Sequence, residues 1–145
     1  MRRRLSFALL LAAACGGDSA TGPSTPNVTG SWSYNVSNIS GADVSCNVAG
    51  SSLTLTQTGS TFTGTAAGGS ITCFGPSGSF NDNLDNDVVT NGVVSGNNVA
   101  FDIGSTDAHN AGTISGSSMN GTLTLRITAG TTTVVLTGNF TAVRQ

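Results

Sequence analysis

From residue 30 onward, large apolar side chains alternate with small or polar ones. Trp32, Tyr34 and Val36 form one such series and Leu53 and Leu55 a second; Val99, Phe101 and Ile103, then Leu123, Leu125 and Ile127, then Val134, Leu136 and Phe140 form three more. A period of two lets a β-strand bury one face and wet the other. Eight strands account for the pattern, at about 30–38, 44–57, 61–73, 87–95, 98–104, 110–116, 118–128 and 132–144.

A short frame recurs between them. TQTGSTFTG at 56–64, VVSGNNVAF at 93–101 and TISGSSMNG at 113–121 each place Gly before Ser or Asn, ahead of a large apolar residue. Gly-Ser and Gly-Asn suit a two-residue type II′ hairpin turn, whose first central position has positive φ. Loops at Gly59-Ser60, Gly96-Asn97 and Gly116-Ser117 set Gln57 against Phe62, Val94 against Val99 and Ile114 against Met119. In a meander these three turns lie at one end, and the connections near 39–43, 74–86, 105–109 and 129–131 lie at the other. The expected fold is an all-β, eight-stranded antiparallel up-and-down barrel, closed by tight turns at one end and ringed by longer loops at the other. Interior positions on these registers include Gly64, Gly92, Gly112 and Gly121, facing Leu55, Phe101 and Leu123. Small residues there either leave a cavity or make room for the large ones.

The first hairpin also bears on the cysteines. If Gly59-Ser60 is its loop, partners have residue numbers that add to 119, which pairs Cys46 with Cys73 and Gly50 with Gly69. A cross-strand disulfide follows, on the opposite parity from Leu53 and Leu55. The glycine pair then marks a bend or bulge where the two faces exchange.

Composition narrows the class. The chain has 20 glycines, one histidine, no Lys and no Glu, and charged residues make up 8 %. Its polar surface is therefore mostly hydroxyl and amide. MRRRLSFALLLAAAC has the layout of a secretory signal peptide: three arginines, an apolar run from Leu5 to Ala14 too short to span a bilayer, and small residues before Cys15. The ending Ala12-Ala13-Ala14-Cys15 resembles a bacterial lipoprotein cleavage box, with Ala12 where Leu is usual, and makes Cys15 the lipidated first residue of the mature chain. Ordinary cleavage at Ala12-x-Ala14 is the alternative. Three cysteines leave one over in an oxidising compartment, and an anchor at Cys15 frees Cys46 and Cys73 to pair. Residues 1–14 are thus expected to be a signal peptide, 15–29 a lipidated cysteine and flexible linker, and 30–145 the barrel domain. The mature chain keeps Arg126 and Arg144 against seven aspartates, a formal charge of −5. Without a basic patch, nucleic acid is not an expected partner, and the membrane is expected only through the lipid.

Gly30-Ser31-Trp32 at the start of the first strand resembles the G-x-W of lipocalins and the wider calycin barrels, a group that includes the avidins. That resemblance implies a basic residue near the end of the last strand packing across the first-strand tryptophan, and Arg144 is suitably placed. It covers about 115 residues in length and topology. Avidin-type biotin binding draws on several tryptophans, and this chain has only Trp32. Small bacterial lipoproteins of unassigned role are the nearest family.

For function, the leading expectation is a non-enzymatic module that takes a small apolar ligand at the end bearing 74–86 and 105–109, with no cofactor. Trp32, Tyr34 and Phe101 are its candidate ligand-facing residues, although Trp32 suits a plug for the closed end better than a ligand platform. The alternative is a filled structural or protein-interaction barrel in the cell envelope, on the periplasmic or outer-membrane face. Asp82, Asp85 and Asp87 are the only calcium candidates, and their segment lacks the glycine and closing Glu of an EF-hand loop, so a solvated Asx-rich turn is the ordinary reading. His109 with Asp107 is the one pairing that hints at acid–base chemistry. No serine is singled out as a nucleophile, and one histidine falls short of a catalytic zinc set, so no enzyme activity is expected.

Overall fold

The computed structural model describes residues 25–145 apart from 77, 84–86, 105, 106 and 130, and only the backbone of Asp82, Asp107, Ala129 and Thr132. Cys15, the signal segment and most of the linker lie outside the described residues. The strands are β1 (Gly30–Gly41), β2 (Val44–Val48), β3 (Ser51–Thr58), β4 (Thr61–Ala67), β5 (Ser70–Gly75), β6 (Gly78–Asn83), β7 (Asp87–Ser95), β8 (Asn98–Ile103), β9 (Asp107–Ser115), β10 (Ser118–Ala129) and β11 (Thr132–Arg144). Neighbours run β11-β10-β9-β8-β7-β4-β3-β1, and β11 pairs with β1. The result is a closed eight-stranded antiparallel barrel, consistent with the lipocalin and avidin type.

The glycine turns set the registers. Gly59, Gly96 and Gly116 have φ of 63°, 56° and 58°, and the residues after them stay at negative φ, as a type II′ turn requires. Gln57 pairs with Phe62, Val94 with Val99 and Ile114 with Met119.

Eleven strands arise from eight because three strands of the meander are interrupted. β2 and β3 together pair with β5 and β4 on a single register, in which Ser52 meets Ala67 and, past the break, Cys46 meets Cys73. Buried residues are Ser51, Leu53 and Leu55 on β3 but Cys46 on β2, and Phe62 and Ala66 on β4 but Ile71 and Cys73 on β5. Both chains therefore exchange faces at Ala49-Gly50 and Gly68-Gly69, where Gly68 and Gly69 have φ of 67° and 91°. β1 makes the same exchange at Asn38 (φ 55°), passing from buried Trp32, Tyr34 and Val36 to buried Ile39. Each extra residue bends its strand without turning its apolar side outward. The three irregularities form a crease, beyond which the end of β1 with β2, β5 and β6 continues as an arm past the barrel rim.

Two of the expected long loops are corrected by the strand ends. Residues 74–86 are not one long loop: β5 runs to Gly75, a tight turn follows, and β6 pairs back along it from Gly75↔Gly78 to Ser70↔Asn83. The 105–109 connection is shorter than expected, since β9 begins at Asp107 and Ala108 pairs with Ile103. Period-two alternation does not betray β6, because GSFNDN contains one large apolar residue.

Within the described residues, every strand pairing and the buried core fall between Val28 and Arg144. The barrel thus holds its own core, and the disulfide between Cys46 and Cys73 joins β2 to β5 in the arm. Replacing both cysteines with alanine opens a loop spanning 27 residues of sequence separation and is expected to cost about 3–4 kcal/mol on the chain-entropy account. Urea unfolding of the double variant beside the parent measures it; equal midpoints would show that the bond constrains nothing.

Candidate functional site

The candidate ligand-facing residues all point into the barrel, where Tyr34 and Phe101 meet edge-on with ring centroids 6.5 Å apart. Trp32, Tyr34 and Phe101 are 0 %, 2 % and 0 % exposed, as are Phe140 at 0 % and Phe62 at 2 %. Tyr34 stacks on Phe140 with ring centroids 6.0 Å apart, Phe101 meets Phe140 edge-on at 5.7 Å, and Phe62 tilts against Phe101 at 5.8 Å. Separations of this size are those of favourable aromatic pairs. A void wide enough for a water molecule would leave accessible area on its walls, and these walls have almost none.

The interior glycines show where the space went. A Cβ on Gly92 would lie 2.5 Å from the Phe62 ring, and one on Gly64 would lie 3.0 Å from Leu55 Cδ2. At these two positions the small residue makes room for a large one, whereas Gly112 and Gly121 face each other against strand backbone.

One polar pair sits among the rings. The Tyr34 hydroxyl donates to Asn110 Oδ1 at 2.7 Å, and Asn110 is fully buried. Burial drives the tyrosine pKa well above its ordinary value, against the smaller opposing effect of the Asn110 hydrogen bond. Its partner was missed in the sequence, although Asn110 has the inward parity of Gly112 and Ile114 on the same strand. The Ser51 hydroxyl, on the inner face beside the crease, is buried without a hydrogen-bond partner.

The glycine-turn end is closed by the chain's own entry segment. The Trp32 indole N–H donates to Val28 O at 2.8 Å, the Val28 amide donates to Gln57 Oε1 at 2.7 Å, and Val28 itself is fully buried. Arg144 lies over the Trp32 ring, its Cζ 4.5 Å from the centroid, and its guanidinium donates to the carbonyls of Asn27 and Thr29. Gly30, Trp32 and Arg144 thus come together as the resemblance implies, and what they hold is residues 27–29 strapped across the barrel bottom. Trp32 serves as the plug.

On the outer wall His109 has a partner other than the one expected. Its Nδ1–H donates to Asp102 Oδ1 at 2.7 Å, and Asn91 Nδ2 donates to Asp102 Oδ2 at 2.8 Å. Asp102 and His109 are directly opposed on β8 and β9, whereas Asp107 is two residues along the same strand and its side chain lies outside the described residues. Directly opposed residues stand closer than i and i+2 neighbours. The His109 side chain is 56 % exposed on this open wall. Nearer the glycine turns, the same wall carries a shallow apolar groove of about 470 Å³ between Val93, Ala100 and Ala111.

Of the calcium candidates, Asp85 and the Asp82 side chain lie outside the described residues, and the Asp87 carboxylate packs over Gly104. Among the described residues no three His, Cys, Asp or Glu side chains gather as a metal site. At the open end the arm carries the disulfide on its inner side, with Phe74 and Phe80 51 % and 50 % exposed near the β5–β6 turn.

Burial pushes the Asp102 pKa up, but the hydrogen bonds from Asn91 and His109 and the His109 charge outweigh it and hold the pKa below its ordinary 3.8. A carboxylate pKa lowered by folding stabilises the folded state above the unfolded value, and that stability is lost as pH falls through the folded value. Asp102→Asn is therefore expected to lower the urea midpoint at about pH 6 and to match the parent by about pH 2. A difference that persists unchanged to the lower pH would refute the assignment.

No protein-family model, curated protein or solved structure matches the chain.

Proposed function

We propose that this chain is a non-enzymatic module of a bacterial cell envelope: a filled β-barrel, tethered through a lipidated Cys15 on the extracytoplasmic side, that works through its outer surface and the arm at its open end. The observation that carries the reading is the interior. Tyr34, Phe101 and Phe140 touch one another, and Phe62 touches Phe101, where a barrel ligand would sit. Displacing them would expose rings whose burial stabilises the fold by roughly 1.5–3 kcal/mol each.

The tether rests on the layout of residues 1–15 and on cysteine parity. It agrees with a chain that enters the barrel at the glycine-turn end, where residues 27–29 are strapped down, leaving the arm at the far end free to meet a partner. The non-enzymatic reading rests on the exposed setting of His109 and Asp102, an orienting pair on an open wall rather than in a water-excluding cleft.

A second reading, a small ligand entering at the open end, is favoured by one atom. Ser51 Oγ faces inward without a partner, and a ligand hydroxyl or carbonyl reaching it would relieve the cost of that burial.

Native mass spectrometry of the chain from Gly16, exposed to a lipid and metabolite extract of the source organism, separates the two. The filled-barrel reading expects the bare protein mass. A reproducible adduct that is lost on denaturation, and weakened by Ser51→Val, would replace it with the ligand-binding reading.

A further inference from the structure

Among the described residues, β6 is the one strand with a single neighbour. The direction of its free backbone groups follows from the ladder beside it. In an antiparallel pair, close partners without mutual hydrogen bonds alternate with wider, hydrogen-bonded ones. Cys46 and Cys73 stand 4.0 Å apart at Cα, which marks them as a close pair, so Cys73 turns its N–H and C=O away from β2 and toward β6. The Ala49 amide bonding to the Ser70 carbonyl at 2.8 Å fits the same alternation. Phe80, the partner of Cys73 on β6, therefore spends its backbone groups on β5, and Ser79 and Asn81 direct theirs to the open edge.

Natural edge strands are guarded by lysine, proline, bulges or a covering segment. β6 contains neither lysine nor proline, and Ser79, Phe80 and Asn81 are all exposed. The sequence from Val44 to Asn81 carries no charged residue. Asp82 is the one charge on the strand and lies past its middle. An edge without charge from Gly78 to Asn81, and with a half-exposed phenylalanine, is suited to accept another strand.

We propose that the strand it accepts is β6 of a second copy of this chain, paired antiparallel about a two-fold axis at Phe80. The register is self-complementary, as an isologous contact requires. Ser79 meets Asn81 of the second copy, and Asn81 meets Ser79, so the outward backbone groups bond one another in two equivalent sets. Phe80 then faces its own counterpart at a close position, where side chains approach most nearly and an aromatic pair gains most. By register Asp82 falls opposite Gly78, so no two aspartates are set against each other. The two rings would cover one another where each now meets solvent. Phe74 takes no part, since its partners on either side are Ser45 and Ser79 and it lies on the other face of the arm.

The contact is narrow, and belongs with the weak, transient end of specific interfaces. It deepens the reading of a barrel that works through its arm and rests on that reading; a chain that stayed monomeric would refute the edge pairing while leaving the filled interior untouched.

Sedimentation equilibrium of the chain from Gly16, with its disulfide intact, tests it from about 1 µM to about 1 mM. A monomer–dimer equilibrium is expected. Phe80→Asp should weaken it by about tenfold or more, and Phe74→Asp should leave it unchanged. Phe80→Cys should yield, on mild oxidation, a covalent dimer linked through position 80 in a peptide map. A monomer across the whole range, equal sensitivity to the two aspartate variants, or failure of the position-80 link would each overturn the proposal.

Discussion

A barrel of eight strands encloses a space little wider than the side chains that point into it. Inward positions must therefore fill that space jointly. Here it is filled by a chain of four rings, with Phe62 set against a strand kept thin at Gly92, so that neighbouring rings stack and tilt at about 6 Å. The buried hydroxyl of Tyr34 is tolerable only because Asn110 accepts its hydrogen bond. The bottom is closed by the same logic, as Trp32 fills the floor and its indole N–H is satisfied by Val28 of the entry segment. Arg144 spends its donors on the two carbonyls flanking that residue, so the first and last parts of the domain are fastened together.

The open end obeys a second constraint. Strands that outrun the barrel rim must bend away without turning their apolar faces to water. Asn38, the Ala49-Gly50 step and the Gly68-Gly69 step each insert an irregularity at one level, and the inward side continues through Ile39, Cys46 and Cys73. Beyond that crease the arm has too few neighbours for a core of its own, and a disulfide holds two of its strands together. Function, on this account, belongs to the part of the sheet that the barrel does not use.

Most of the barrel can be read from the chain because alternation and turn chemistry agree. Glycine at the first turn position requires positive φ, the turn fixes the pairing, and the pairing carries Cys46 to Cys73 along a hairpin whose two strands slip together at the crease. The rest is hidden for physical reasons. β6 is held by backbone bonds and by one phenylalanine, so it leaves no periodic trace. Asp102 lies seven residues before His109 and is set against it only by the register of the β8–β9 hairpin, which no glycine turn frame marks. Asn110 looks like a surface amide until its parity with Gly112 places it inside, and whether inward glycines mean a cavity or close packing depends on side-chain positions that no spacing encodes.

The filled interior can be challenged by asking whether a small apolar molecule enters it. Benzene binding to the chain from Gly16, followed by ligand-observed NMR, should be undetectable for the parent. It should appear for Phe101→Ala, which removes the ring at the centre of the cluster at a cost of about 3–5 kcal/mol and leaves an apolar void; Phe101→Leu opens a smaller one if the alanine variant does not fold. Benzene taken up by the parent, with shifts at Tyr34 and Phe101, would mean that the rings yield to a guest and that the barrel is a binding cavity after all.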